Sequence, residues 1–158
     1  MDSSEKKTVV AVVSDYKFLN SNFNKLYDQL RGHGNYQGEI LVITSKFSPC
    51  FLIKSIRKKN KVKVLRFKNI KFDKITEFEL NNLETYNDPN RNLTKKFQWH
   101  KLHLFDEYMK NWDYVFYLDI NMNIHSDINR ILAHTPENCF MARSDTYPKY
   151  DRELKTQF

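Results

Sequence analysis

Thr8 to Val13 reads TVVAVV, a run of β-branched and small residues with no apolar–polar alternation. A strand of that kind has to be buried on both faces, so the sheet that holds it needs covering layers above and below. The run ends in Ser14-Asp15, and from Tyr16 a helical pattern takes over. Leu19, Phe23, Leu26, Tyr27 and Leu30 recur at helix spacing until Gly32 and Gly34 stop the helix. Glu39 to Thr44 (EILVIT) predicts a second buried strand, and Pro49 to Lys59 a helix turning Phe51, Leu52 and Ile56 inward. Val62, Val64 and Phe67 alternate imperfectly with Lys63 and Arg66, as in a third and less buried strand. Strands alternating with helices imply right-handed crossovers and a mostly parallel sheet, so the expected class is α/β.

A chain of 158 residues suits one domain, expected over 1–158 with a flexible stretch at 1–7 and a weakly ordered one at 150–158. No run reaches the ~20 apolar residues of a membrane helix. The polar start MDSSEKK does not resemble a secretory signal, and the cysteines, Cys50 and Cys139, show no CxxC spacing. The expected setting is reducing and cytoplasmic; Asn92-Leu93-Thr94 is then a chance sequon. The Asn, Lys and Ile content suggests an AT-rich genome, such as that of a large DNA virus of protists. The net charge of +7 is concentrated in Lys54 to Lys74, with ten basic residues and one acidic one. Charge gathered on one helix–strand–loop segment fits a solvated basic edge better than a nucleic-acid surface.

In the second half, Phe72, Ile75, Phe78, Leu80 and Leu83 hint at a helix that Asn87-Asp88-Pro89-Asn90 ends. Leu93 to Lys110 predicts a helix with Leu93, Phe97, Leu104, Phe105 and Tyr108 in one stripe and Lys101 inside it. A lysine there either reaches the edge of the face or pairs with a carboxylate, or it meets an anionic ligand. His100 and His103 flank the stripe and read as surface or core histidines. Tyr114 to Leu118 is an aromatic strand that runs into Asp119-Ile120-Asn121, a turn holding His125, and then Ser126 as the cap of a helix carrying Ile128, Ile131 and Leu132 inward. Asn138 to Ala142 reads as another strand. Alternation sends Asp119 and Asn121 to one side and Ile120 to the other. Two hard oxygen donors together suit Mg²⁺ or Mn²⁺ beside substrate phosphates, although a solvated strand end has the same residues.

None of the three glycines, at 32, 34 and 38, follows the first strand, which excludes the glycine-rich dinucleotide and P-loop devices. Phosphates here would have to be neutralised by a metal or by basic side chains. The ordered set HKLHLF, WDYVFYLDIN and NIHSDINRIL resembles glycosyltransferase family 8, the glycogenin-like enzymes, over about Lys95 to Leu132, and less closely from Thr8 to Thr44. The resemblance implies a GT-A (Rossmann-like) three-layer sandwich with a mostly parallel sheet. It implies Asp119 and Asn121 as metal ligands for Mn²⁺ (or Mg²⁺), and Ser14, Asp15 and Tyr16 at the base and ribose of a UDP-sugar. Lys101 and Arg91 fall near the diphosphate, and Ile120 lies within the motif. Asn121 is neutral where the family has a carboxylate, which weakens chelation. The family's late His-x-x-Gly-x-x-Lys metal motif has no counterpart after Cys139. The chain therefore reads as the nucleotide half, lacking most of the acceptor-binding half.

The expected function is metal-assisted transfer of a hexose from a UDP-sugar to a glycan or protein hydroxyl, with retention by analogy with the family. No catalytic residue stands out. One alternative is a UDP-sugar binder or slow UDP-sugar hydrolase without an acceptor site, whose open face a homodimer would cover. Another is a basic nucleic-acid-binding domain.

Overall fold

The computed structural model describes residues 6–76, 78, 97–133 and 141. The expected strand at 138–142 therefore lies outside the described residues apart from Met141, as do Arg91, the sequon and most of the 69–92 segment. Among the described residues, four strands form one sheet: β1 (Thr8–Val13), β2 (Glu39–Ser45), β3 (Val62–Phe67) and β4 (Tyr114–Tyr117). They are ordered β3-β2-β1-β4, and every pairing is parallel. The α/β class and the parallel sheet are as the patterning predicts. No helix among the described residues is long and apolar enough to cross a membrane.

Both faces of the sheet are covered, as the unbroken apolar runs require. On one face lie helices α1 (Tyr16–Arg31) and α2 (Cys50–Arg57), which pack Leu19, Phe23, Leu26, Leu30, Leu52, Ile53 and Ile56 against Val10, Val12, Ile40 and Val42. The other face, with Val9, Val13, Leu41 and Ile43, is covered by Phe97, Leu104, Met109 and Trp112. Val9 to Val12 are fully buried, so the middle of β1 has no contact with water.

Asp15 starts α1, accepting the backbone N–H groups of Lys17 at 2.8 Å and Phe18 at 3.0 Å through Oδ1. Gly32 ends it. Gly34 follows where a Cβ would lie 2.8 Å from the Leu30 carbonyl oxygen, a backbone atom that cannot move aside. In α2, Phe51 is exposed at 73% and Ile53 points inward beside Leu52 and Ile56, against the expectation for Phe51.

The expected helix over 93–110 is the largest departure. After Phe97 and Gln98, which are α-helical, its described part forms two 3₁₀ segments, Trp99–Phe105 and Glu107–Asn111, separated by Asp106 in an extended conformation. A period of three replaces 3.6, so residues three apart stand in columns. His100 and His103 then share the sheet-facing column, whereas Trp99, Leu102 and Phe105 line up outward, exposed at 44%, 56% and 71%. The stripe drawn on a 3.6-residue wheel placed Phe105 and Tyr108 inside; both are exposed. After β4, Ser126 does not cap the short helix α3 (Asn129–Leu132). Asp127 accepts the Asn129 N–H at 2.8 Å, and Ile128 and Leu132 pack inward while Ile131 is exposed.

Candidate ligand site

The strand order reverses at β1. From β1 the chain steps outward through β2 to β3, then returns to place β4 on β1's other side. Open parallel sheets hold ligands at the carboxyl ends of the strands flanking such a reversal, because the following connections diverge there and leave a crevice. The segments that leave β1 and β4 at this end are Ser14-Asp15-Tyr16 and Asp119-Ile120-Asn121.

Pairing with β1 continues through the Leu118 N–H, bonded to the Ala11 carbonyl at 2.9 Å, and the chain then turns, with the Met122 N–H on the Asp119 carbonyl at 3.0 Å. Tyr117 and Asp119, two residues apart, share a side, and the Tyr117 hydroxyl donates to Asp119 Oδ1. Lys101 Nζ lies 3.3 Å from the same carboxylate oxygen and 5.1 Å from the centre of the Tyr117 ring. Burial pushes the Tyr117 phenol well above its ordinary pKa, and the neighbouring Asp119 carboxylate pushes the same way, so this hydroxyl is a donor at every working pH. Lys101 and Asp119 are open to solvent at 40% and 52%. Of the two roles open to Lys101, the structure shows pairing with a carboxylate.

Asn121 does not join Asp119. The turn after Asp119 breaks the strand alternation, and the Asn121 carboxamide oxygen instead accepts from Asn22 Nδ2, on α1, at 3.0 Å. The two residues expected on one side thus take partners from opposite layers of the fold. Ile120 is buried at 7% in the α1-side core, so its side chain is structural and only its backbone faces the turn.

The β1 segment divides similarly. Ser14 is buried and its hydroxyl donates to the Asp15 carbonyl at 3.2 Å; Asp15 is occupied in capping α1. Tyr16 is exposed and forms one wall of a crevice of about 290 Å³ between the starts of α1 and α2, with Lys17, Asn20, Pro49, Phe51 and Leu52. His125 is exposed in the loop beyond Asn121.

The expected metal does not fit this arrangement as a chelate of Asp119 and Asn121. Asp119 Oδ1 and Asn121 Oδ1 already meet protein donors, so an ion would have to displace those donors or rest on Asp119 Oδ2 alone. Among the described residues no group of three His, Cys, Asp or Glu side chains could complete a shell.

No family model, curated protein or solved structure matches this chain. The site's chemistry has to be read from its own geometry.

Several contributors escaped the sequence reading. Tyr117 was legible, since it precedes Asp119 by the two residues that a strand needs to repeat a side. Asn22 and Phe51 carried no signal, because only the packed layers reveal that Asn22 meets Asn121 and that Phe51 lines the crevice. A second polar cluster lies toward β3. His103 stacks on Phe67 with ring centres 3.6 Å apart, and its Nδ1 is 2.7 Å from Asp106 Oδ2. Beside it, His100 is buried at 1%. That burial, and secondarily the charge of His103, holds His100 below its ordinary pKa.

Proposed function

We propose that the protein binds a UDP-sugar across the carboxyl ends of β1 and β4 and transfers its hexose to a hydroxyl of a glycan or protein, using the nucleotide half of a GT-A-type fold. The observation that carries this reading is the reversal of strand order at β1. Both segments that resemble the family's nucleotide-binding motifs leave the sheet at that reversal, in the position where such sheets hold nucleotides.

In this reading the aromatic crevice of Tyr16 and Phe51 takes the base, and Asp119 Oδ2 accepts a ribose hydroxyl. The Lys101 ammonium faces the diphosphate. Transfer breaks the bond between the anomeric carbon and the diphosphate oxygen as the acceptor oxygen bonds to that carbon. The negative charge that develops on the departing diphosphate is stabilised by the ammonium. The acceptor hydroxyl's proton is lost to solvent, and the configuration is retained by analogy with the resembled family.

The exposure of Asp119 and Lys101 supports a second reading, in which water takes the acceptor's place and the donor is slowly hydrolysed. Calorimetric titration with UDP-glucose tests the shared first step. Binding is expected to weaken about tenfold or more in Asp119→Ala, which removes a charge-assisted hydrogen bond. No binding to the unaltered protein overturns the proposal, and measuring released UDP with and without added glycans separates transfer from hydrolysis.

A further inference from the structure

The position a metal ion would occupy on Asp119 already holds a positive charge. Lys101 Nζ stands 3.3 Å from Oδ1, held over the Tyr117 ring, and the Tyr117 hydroxyl donates to the same oxygen. The second expected ligand, Asn121, carries no charge and gives its oxygen to Asn22. A divalent ion would have to displace the ammonium and break the amide pair, in exchange for a single carboxylate. Hard divalent ions draw their affinity from the number and charge of oxygen ligands, so the exchange is unfavourable. An ammonium at that position leaves the carboxylate neutralised and lets an anionic diphosphate approach without repulsion.

We propose that Lys101 is the resident cation of this strand end, and that a nucleoside diphosphate binds there without a divalent metal. This deepens the UDP-sugar reading and rests on it. The Tyr117 ring and hydroxyl, both part of the partly buried wall, fix where the ammonium sits, so Tyr117 acts as a positioning residue. Asn22 acts likewise on the other side of the turn, keeping the Asn121 oxygen out of reach of a cation.

The experiment is a pair of titrations on the whole chain. UDP is titrated calorimetrically in EDTA and in Mn²⁺, against the unaltered protein, Lys101→Met and Lys101→Arg. Mn²⁺ alone is titrated by electron paramagnetic resonance against the same three proteins. The inference expects UDP to bind with the same affinity in EDTA and Mn²⁺, within about twofold, and to bind about tenfold more weakly in EDTA once Lys101→Met removes the charge. It expects Lys101→Arg to retain most of the affinity. With Mn²⁺ alone, Lys101→Met is expected to bind the ion about tenfold more tightly than the unaltered protein, because the carboxylate is freed. UDP binding that requires Mn²⁺ overturns the inference and leaves the UDP-sugar reading standing. Absence of UDP binding under both conditions overturns that reading, and the inference with it. Equal Mn²⁺ affinity in the unaltered protein and Lys101→Met overturns the inference whatever UDP does. Circular dichroism of both variants confirms that the sheet is intact, and Lys101 is exposed enough for either substitution to be accommodated.

Discussion

Asp119 shows how much one residue's meaning depends on what surrounds it. In the sequence it is an acid at a strand end, which either a solvated turn or a metal site would use. In the fold its Oδ1 meets Lys101 and Tyr117 at once, and the side chain stays half open to solvent. The strand period brought Tyr117 and Asp119 together legibly. The same period misassigned Asn121, because a turn resets alternation and nothing in a single sequence marks where the strand stops. His100 has the opposite history: unremarkable as a residue, it is nearly inaccessible in the fold. Its folded pKa is lowered by burial, so as pH falls the unfolded chain takes up the proton first. Stability is therefore full above the ordinary histidine pKa of about 6.5 and is lost as pH drops below it, at up to about 1.4 kcal/mol per unit. Thermal melts from pH 8 to 5 are expected to show this decline in the unaltered protein and to flatten in His100→Phe; an unchanged slope would remove His100 as its source.

At the scale of elements, the strands were the most legible, because a buried parallel strand needs an uninterrupted apolar run and few other structures tolerate one. Helix α1 was nearly as clear, with a repeating stripe and a glycine stop, although the capping by Asp15 emerged only in the fold. Asp15→Ala is expected to cost about 1 kcal/mol in urea denaturation, since two N–H groups of the first turn lose their acceptor. If Asp15 instead contacted only a ligand, stability would not change. The two 3₁₀ segments were illegible for a physical reason. Periods of 3.0 and 3.6 place nearly the same residues together over one turn, and only the break at Asp106 keeps the chain in the shorter period. At that break His103 meets Asp106 and stacks on Phe67, a contact between distant parts of the chain that no local pattern encodes.

Across the whole molecule, part of the basic segment turns out to be structural, where basic side chains hold carbonyls or a carboxylate of the fold. Lys63 pairs with Glu39 at 2.6 Å, and Arg57 donates to the Val64 carbonyl at 3.1 Å. Lys61 donates to the Gln37 carbonyl, while Arg66 donates to the carbonyls of Lys46 and Ser48. The Lys63 hydrogen bond, foremost, holds the Glu39 carboxyl below its ordinary value. Lys63 and Arg66 on β3, at the edge of the described sheet, also discourage pairing with another chain. Arg66→Ala is accordingly expected to lose about 1–2 kcal/mol of stability, because two carbonyls lose a charged donor. Fluorescence anisotropy with single-stranded DNA at near-physiological salt is expected to show no binding at micromolar protein. A steep salt-dependent association would instead restore the nucleic-acid reading.

The place of β4 also sets an order of assembly. β1 and β2 are joined through one helix, whereas the β1–β4 register opens at Thr8 and Tyr114, just past a bond from the Lys7 N–H to the Asp113 carboxylate that spans 106 residues. Closing so long a loop costs more entropy than closing the β1–α1–β2 unit, and contacts of that separation form late. In stopped-flow experiments Val115→Ala, within β4, is therefore expected to speed unfolding and leave the folding rate nearly unchanged, whereas Leu41→Ala in β2 slows folding. Equal effects on both rates for Val115→Ala would reverse that order. If it holds, the Tyr16 crevice, built from α1 and the start of α2, precedes the strand end that carries Asp119, so a ligand that requires both selects chains that have finished folding.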